Sequence, residues 1–161
     1  MTSPRKQSPL PKGSKAPDFD LPAFTAGAES SNQNKNIKLS DFLGSKNVIL
    51  AFYPKDDTPG CTREMCSFSA DLEEFEAAQT QLLGISCDKL ERHEKFAGRH
   101  SLRQPLLSDE SGAVGRAYGA LQEGSANASR VLFVIDKQGE IQHVVEGMPN
   151  NSELLEIVKG L

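Results

Sequence analysis

Only three cysteines occur among the 161 residues. That is too few for the disulfide scaffold of a small secreted protein, and a chain of this length buries a sizeable core without one. Long hydrophobic runs are also missing. The longest, such as Val48–Tyr53 and Val131–Ile135, fall far short of the ~18 apolar residues a membrane span needs. There is no basic excess, since a net charge of −4 gives no overall pull toward nucleic acid. The first 17 residues contain no apolar segment of the kind a secretory signal requires. What is present is ordinary: 37% apolar and 25% charged residues with a mean hydropathy of −0.44. These values point to a water-soluble, cytoplasmic protein of one domain, without a membrane or nucleic-acid partner. An odd, small number of cysteines in such a chain points to thiol chemistry or to buried structural sulfur.

Residues Met1–Pro17 hold four of the nine prolines and four basic residues but no acidic one. They read as a flexible basic arm, residues 1–16, followed by a single domain over 17–161. Within that domain, strands and helices alternate. Asp18–Phe24 is at best an edge strand because Pro22 interrupts it. Ala26–Lys38 reads as a loop, and Leu39–Phe42 as one helical turn. Asn47–Tyr53 suits a strand buried on both faces. Thr58 is placed to cap a helix that begins at Pro59. Cys61, Met65, Phe68, Leu72 and Phe75 form one apolar stripe along it. A strand at Gln81–Ser86, a helix at Leu90–His100, a short strand at Leu106–Leu107 and a helix at Asp109–Tyr118 follow. Val131–Asp136 and Glu140–Glu146 flank the turn Lys137-Gln138-Gly139 as a hairpin, and Asn151–Lys159 is a last helix. The expected fold is α/β, a central mixed sheet with helices on both faces.

Cys61 falls just inside the start of the helix after Thr58. Free amide N–H groups and the positive end of the helix dipole favour the thiolate there. Making the thiolate dominant gains about thirtyfold in nucleophile, worth ~2 kcal/mol. Fast attack would also need donors aimed at the atoms of the group attacked. The Thr58 hydroxyl and an arginine from elsewhere in the fold are the natural candidates. Cys66 lies five residues on, with its Cα ~8.7 Å from that of Cys61 in an intact helix. A disulfide needs about 4.4–6.8 Å. Either the pair never bonds, or the first turns of the helix unwind when it does.

The segment Phe52-Tyr53-Pro54-Lys55-Asp56-Asp57-Thr58-Pro59-Gly60-Cys61-Thr62-Arg63-Glu64-Met65-Cys66 resembles the active-site segment of the peroxiredoxins. It carries their Pro-x-x-x-Thr-x-x-Cys pattern at Pro54, Thr58 and Cys61. A second cysteine at +5 resembles the peroxiredoxin Q, or bacterioferritin comigratory protein, subfamily. Leu83-Gly84-Ile85-Ser86, His93-Glu94-Lys95-Phe96, Pro105–Glu110 and Arg130–Asp136 are similar to that subfamily as well. The resemblance covers roughly residues 15–161. It implies a thioredoxin-like fold and thiol-dependent reduction of hydrogen peroxide and alkyl hydroperoxides. It further implies Cys61 as peroxidatic nucleophile and Cys66 as resolving cysteine, joined in an intramolecular disulfide recycled by thioredoxin. By the same resemblance Thr58 bonds the thiolate and the peroxide. Pro54 shapes and shields the pocket. Arg130 favours the thiolate and helps hold the peroxide. It implies no metal or flavin cofactor, and often a monomer. The stretch Gly119–Ala128 is shorter than in many relatives, and Cys87 stands where a cysteine is uncommon.

Other candidates read more plainly. Cys87 is a small residue at a strand end, or an extra thiol. Arg63 reads as solvated, and Asp56-Asp57 as a solvated pair in the loop. His93, His100 and His143 lack metal-ligand spacing with the cysteines. A redox-sensing module switched by the same disulfide is the alternative to an enzyme. A thioredoxin-like disulfide reductase is disfavoured, because Cys-x-x-Cys is absent.

Overall fold

The computed structural model describes residues 8–26, 28–29 and 33–161. Among these the elements run β1 (Asp20–Leu21), β2 (Ala23–Phe24), β3 (Ile37–Lys38), β4 (Asn47–Phe52), α1 (Pro59–Ala70), α2 (Leu72–Ala77), β5 (Thr80–Ser86), α3 (Leu90–His100), β6 (Leu106–Ser108), α4 (Ala113–Ala117), β7 (Val131–Ile135), β8 (Ile141–Glu146) and α5 (Asn151–Lys159). The main sheet has the order β2-β6-β5-β4-β7-β8. β4, β5 and β6 are parallel, while β7, β8 and β2 join antiparallel. The sheet is mixed, as expected.

Alternate residues of β4 feed two cores. Ile49 and Ala51, with Tyr53 beyond the strand end, face a layer formed by Met65 and Phe68 of α1, Phe75 of α2, Phe96 of α3 and Leu154 of α5. Val48, Leu50 and Phe52 face the opposite layer, made by Tyr118 after α4, Leu39 and the chain around Ala16 and Phe19. Every β4 residue is buried. Each fully buried Leu, Ile or Val contributes about 1.5–3 kcal/mol, so this sheet is the rigid frame of the molecule. Gly84 in β5 lets α1 approach it. A Cβ there would lie 3.0 Å from Met65 Sδ and 2.9 Å from Leu106 Cδ2.

Several expectations need correction. Residues 8–16 are not a loose arm. Leu10 N–H donates to the Tyr118 carbonyl at 3.0 Å, Gly13 N–H to Ile141 at 2.8 Å and Ala16 N–H to Gly139 at 2.8 Å. Backbone pairing and the buried Ala16 hold this stretch on the body; residues 1–7 of the expected arm lie outside the described residues. Pro22 divides the expected first strand into β1 and β2, which join different sheets. Ile37–Lys38, read as loop, pairs with β1. The helix read through Phe75 breaks at Asp71, whose backbone (φ −102°, ψ 13°) leaves the helical region. Of Asp109–Tyr118 only Ala113–Ala117 is helical. Asp109 instead accepts from the Val114 and Gly115 amides and caps α4 from outside.

Candidate active site

The loop 54–58 carries the chain from the end of β4 to the start of α1. Thr58 occupies the N-cap position with extended backbone, φ −92° and ψ 150°. Pro59 follows at the first helical position, where its missing N–H costs nothing. Cys61 is therefore in the first turn, where amide N–H groups have no intrahelical acceptor. It is buried, at 1% exposure, in the same core as Met65.

Arg130, immediately before β7, reaches across to this turn. Its Nη2 donates to Cys61 Sγ at 3.0 Å and its Nε to Glu64 Oε1 at 3.1 Å. Burial works against the guanidinium charge, yet Cys61 and Glu64 beside it more than offset this, and Arg130 is held protonated more firmly than usual. Gly60 makes room for it, since a Cβ there would lie 3.1 Å from Arg130 Nη2. From the sequence, Glu64 is expected to oppose the positive groups near Cys61 only weakly if exposed; the structure buries it at 2% exposure. Its Oε2 has no hydrogen-bond partner among the described residues. Burial raises its carboxyl to about 7, against the opposing hydrogen bond and charge of Arg130. The available signal was its spacing, three residues after Cys61 on the same helical face.

The other expected residues lie nearby with different contacts. The Thr58 hydroxyl does not cap α1. It donates to the Lys55 carbonyl at 2.8 Å, so its one hydrogen is spent there and its oxygen is left to accept. Pro54 is half-buried at the mouth of the same loop. Cys66 is half-buried one and a half turns along an unbroken α1, packed against the core that contains Cys61. Cys61, Cys66 and Cys87 are all free thiols. Cys87 follows β5, and burial, aided by the charge of Asp109, pushes its thiol up.

The loop has a second buried cluster. Asp56, expected to be solvated, is 1% exposed, and His93 is fully buried. Asp56, Asp88 and His93 each bring a possible ligand atom within 4.8 Å of the others. Those atoms are already engaged with one another or with neighbouring groups through hydrogen bonds, so the cluster reads as a polar network. Sequence distance hid it, because His93 is 37 residues from Asp56.

A cysteine in a helix's first turn is bonded by an arginine that immediately precedes a strand of the mixed sheet. The model of the AhpC/TSA family matches residues 12–144. The chain belongs to the AhpC/TSA family. It is 35% identical over 152 residues to the putative peroxiredoxin bcp of Coxiella burnetii, covering 91% of this chain and 95% of that one. It is 36% identical to peroxiredoxin Bcp of Escherichia coli over 86% of this chain and 87% of the other. The match to barley 2-Cys peroxiredoxin BAS1 is 41% over 81% of this chain, which spans only 63% of that longer protein. Among solved structures, peroxidoxin BcpB of Mycobacterium tuberculosis superposes with a TM-score of 0.81 at 29% identity, covering 93% of this chain and 97% of that one. The family member is thus of the peroxiredoxin kind, with the thioredoxin-like fold implied by its motif.

Proposed function

We propose that this AhpC/TSA family member is a thiol-dependent peroxidase. The observation that supports this best is the Arg130 guanidinium 3.0 Å from Cys61 Sγ in the first turn of α1. In this reading the Cys61 thiolate attacks the terminal oxygen of hydrogen peroxide or an alkyl hydroperoxide. The O–O bond breaks, a sulfenic acid forms on Cys61, and the other oxygen leaves as water or alcohol after taking up a proton. Arg130 has donors to spare for the charge that develops on the departing oxygen. The Thr58 oxygen, its hydrogen committed to Lys55, accepts from the hydroperoxide O–H. Pro54 shapes that loop and shields the pocket.

Cys66 then attacks the Cys61 sulfenic acid, releasing water and forming the Cys61–Cys66 disulfide. Helical geometry keeps the two sulfurs too far apart, so part of α1 must open. Its second half is fastened from outside: Gln104 Nε2 donates to the Met65 carbonyl at 3.0 Å, Asn151 Nδ2 to Ser67 Oγ at 2.9 Å and Arg103 Nη2 to the Ser69 carbonyl at 2.7 Å. Among the described residues, the side-chain hydrogen bonds to the start of α1 from another element come from Arg130. Cys61 therefore moves toward Cys66, and a dithiol protein such as thioredoxin then reduces the disulfide to two thiols. The protein acts without a bound cofactor, as a monomer, since both cysteines lie on one helix. It works in a reducing compartment such as the cytoplasm. No helix among the described residues is long and apolar enough to cross a membrane.

Stopped-flow oxidation of the reduced protein, followed by peptide mass mapping, tests this. The expected result is oxidation at least about a hundredfold faster than free cysteine, ending in a Cys61–Cys66 bridge. Cys66→Ser should consume one peroxide and then stall, and Cys61→Ser should not react. A bridge from Cys61 to Cys87 would reject the assignment of Cys66.

A further inference from the structure

Asp56 and His93 form a buried titratable pair that the peroxide chemistry leaves unused. His93 Nε2 lies 2.9 Å from the Leu107 carbonyl, which only accepts, so Nε2 carries a proton. Nδ1 lies 2.7 Å from Asp56 Oδ2, so one more proton is shared between the ring and the carboxyl. The Tyr53 hydroxyl donates to the other carboxyl oxygen at 2.6 Å, and the Asp56 amide donates to Asp88 Oδ2 at 2.8 Å. Asp88 is held in turn by Ser86 Oγ at 2.7 Å and faces Arg92 Nε at 3.3 Å. One loop residue is thus tied to the ends of β4 and β5, to α3 and, through His93, to β6.

Its position gives this knot a role. Asp57, the next residue, takes a left-handed backbone, φ 61°, before Thr58 leads into α1. The loop must hold that turn for Cys61 to face Arg130. We propose that Asp56 and His93 are positioning residues: together they latch the loop 54–58, and through it the first turn of α1, in the conformation where Cys61 meets Arg130. The latch stays closed while the turn beyond it unwinds. The proposal rests on the peroxidase reading and adds a limit to the opening. On one side stands the buried Asp56 pair, on the other the Gln104, Asn151 and Arg103 bonds to the second half of α1. The segment that moves is 57–64.

The test compares backbone hydrogen exchange in the reduced protein with the peroxide rate at Cys61, for Asp56→Ala, Asp56→Asn and His93→Gln. Asparagine keeps the shape, accepts from Tyr53 and donates to Nδ1 of a ring protonated on Nε2, so it restores every bond. Asp56→Ala should speed exchange over 57–64 about tenfold while leaving β5 unchanged, and slow peroxide oxidation about tenfold. Asp56→Asn should return both to within about threefold of the wild type. If Asp56→Ala does not fold, His93→Gln decides, since its amide can serve Asp56 or Leu107 but not both; about threefold changes are expected. Unchanged exchange over 57–64, or asparagine as damaging as alanine, overturns the latch. A wild type that reacts no faster than free cysteine sinks the peroxidase reading instead, and the exchange comparison still decides the latch.

Discussion

The loop before α1 lies between two buried polar clusters built on opposite plans. Around Asp56 both carboxyl oxygens and both His93 nitrogens are satisfied. Around Arg130 capacity is left over: Glu64 Oε2 has no partner among the described residues, and burial has raised its carboxyl to about 7. An unmet buried acceptor costs about 1–3 kcal/mol; among the described residues Asn47 and Gln104 also carry one, and what sets Glu64 apart is its place beside Arg130 and Cys61. The closed cluster has its groups bonded to one another, which fits the latch role proposed for it. In the proposed peroxidase reading, the spare groups of the open cluster are the ones that meet the hydroperoxide.

Removing the guanidinium breaks that contrast most directly. Arg130→Met deletes the donor to Cys61 Sγ and strips Glu64 of its partner, while leaving every bond of Asp56 in place. The second-order rate constant for peroxide should fall by about a hundredfold or more in stopped-flow oxidation. Exchange protection of the Asp56 amide should hold. If the Asp56 side loosens to the same degree, the two clusters are one structure.

Glu64→Gln sharpens the comparison through pH. An acid whose folded pKa is raised, here from 4.5 to about 7, binds its proton more tightly in the folded chain. Its stabilising contribution is present below about 4.5 and is lost as pH climbs to about 7. The full swing is on the order of 3 kcal/mol. Glutamine does not titrate, so the variant should gain on the wild type between those limits and run parallel above them. Urea unfolding at pH 4.5, 6 and 8 reads the difference. A gap that does not change with pH would mean that the carboxyl is as well satisfied as Asp56.

The open cluster was the more legible of the two in the sequence. Thr58-Pro59-Gly60-Cys61 announces a helix start, and the breakers around Asn47–Tyr53 mark a central strand, so Cys61 could be set on its turn from local pattern alone. Arg130 came only through the resemblance of its segment, because an arginine before a strand has no local signature. The Asp56 knot was invisible: two adjacent aspartates in a loop look solvated until α3 brings His93 over them. Residues 8–16 failed for the same reason. Their basic, proline-rich composition suggests a tail, and the carbonyls that hold them lie over a hundred residues away, at Tyr118, Gly139 and Ile141.

The smallest expected effect isolates geometry from charge. A methyl on Gly60 would lie 3.1 Å from Arg130 Nη2 and 3.4 Å from Nη1, both at the far end of a flexible side chain. The guanidinium would shift by a few tenths of an ångström, keeping its charge and its place near Glu64. Alanine is also the better helix former, by up to about 1 kcal/mol in a helix interior and less in a first turn. Gly60→Ala should therefore leave thermal unfolding unchanged or slightly higher while slowing peroxide oxidation about three- to tenfold. Such a split, stability kept and rate lost, belongs to a group whose value is where it points. Equal rates in the two proteins would show that Arg130 tolerates displacement, and its unmet neighbour would then need a reason other than a waiting substrate.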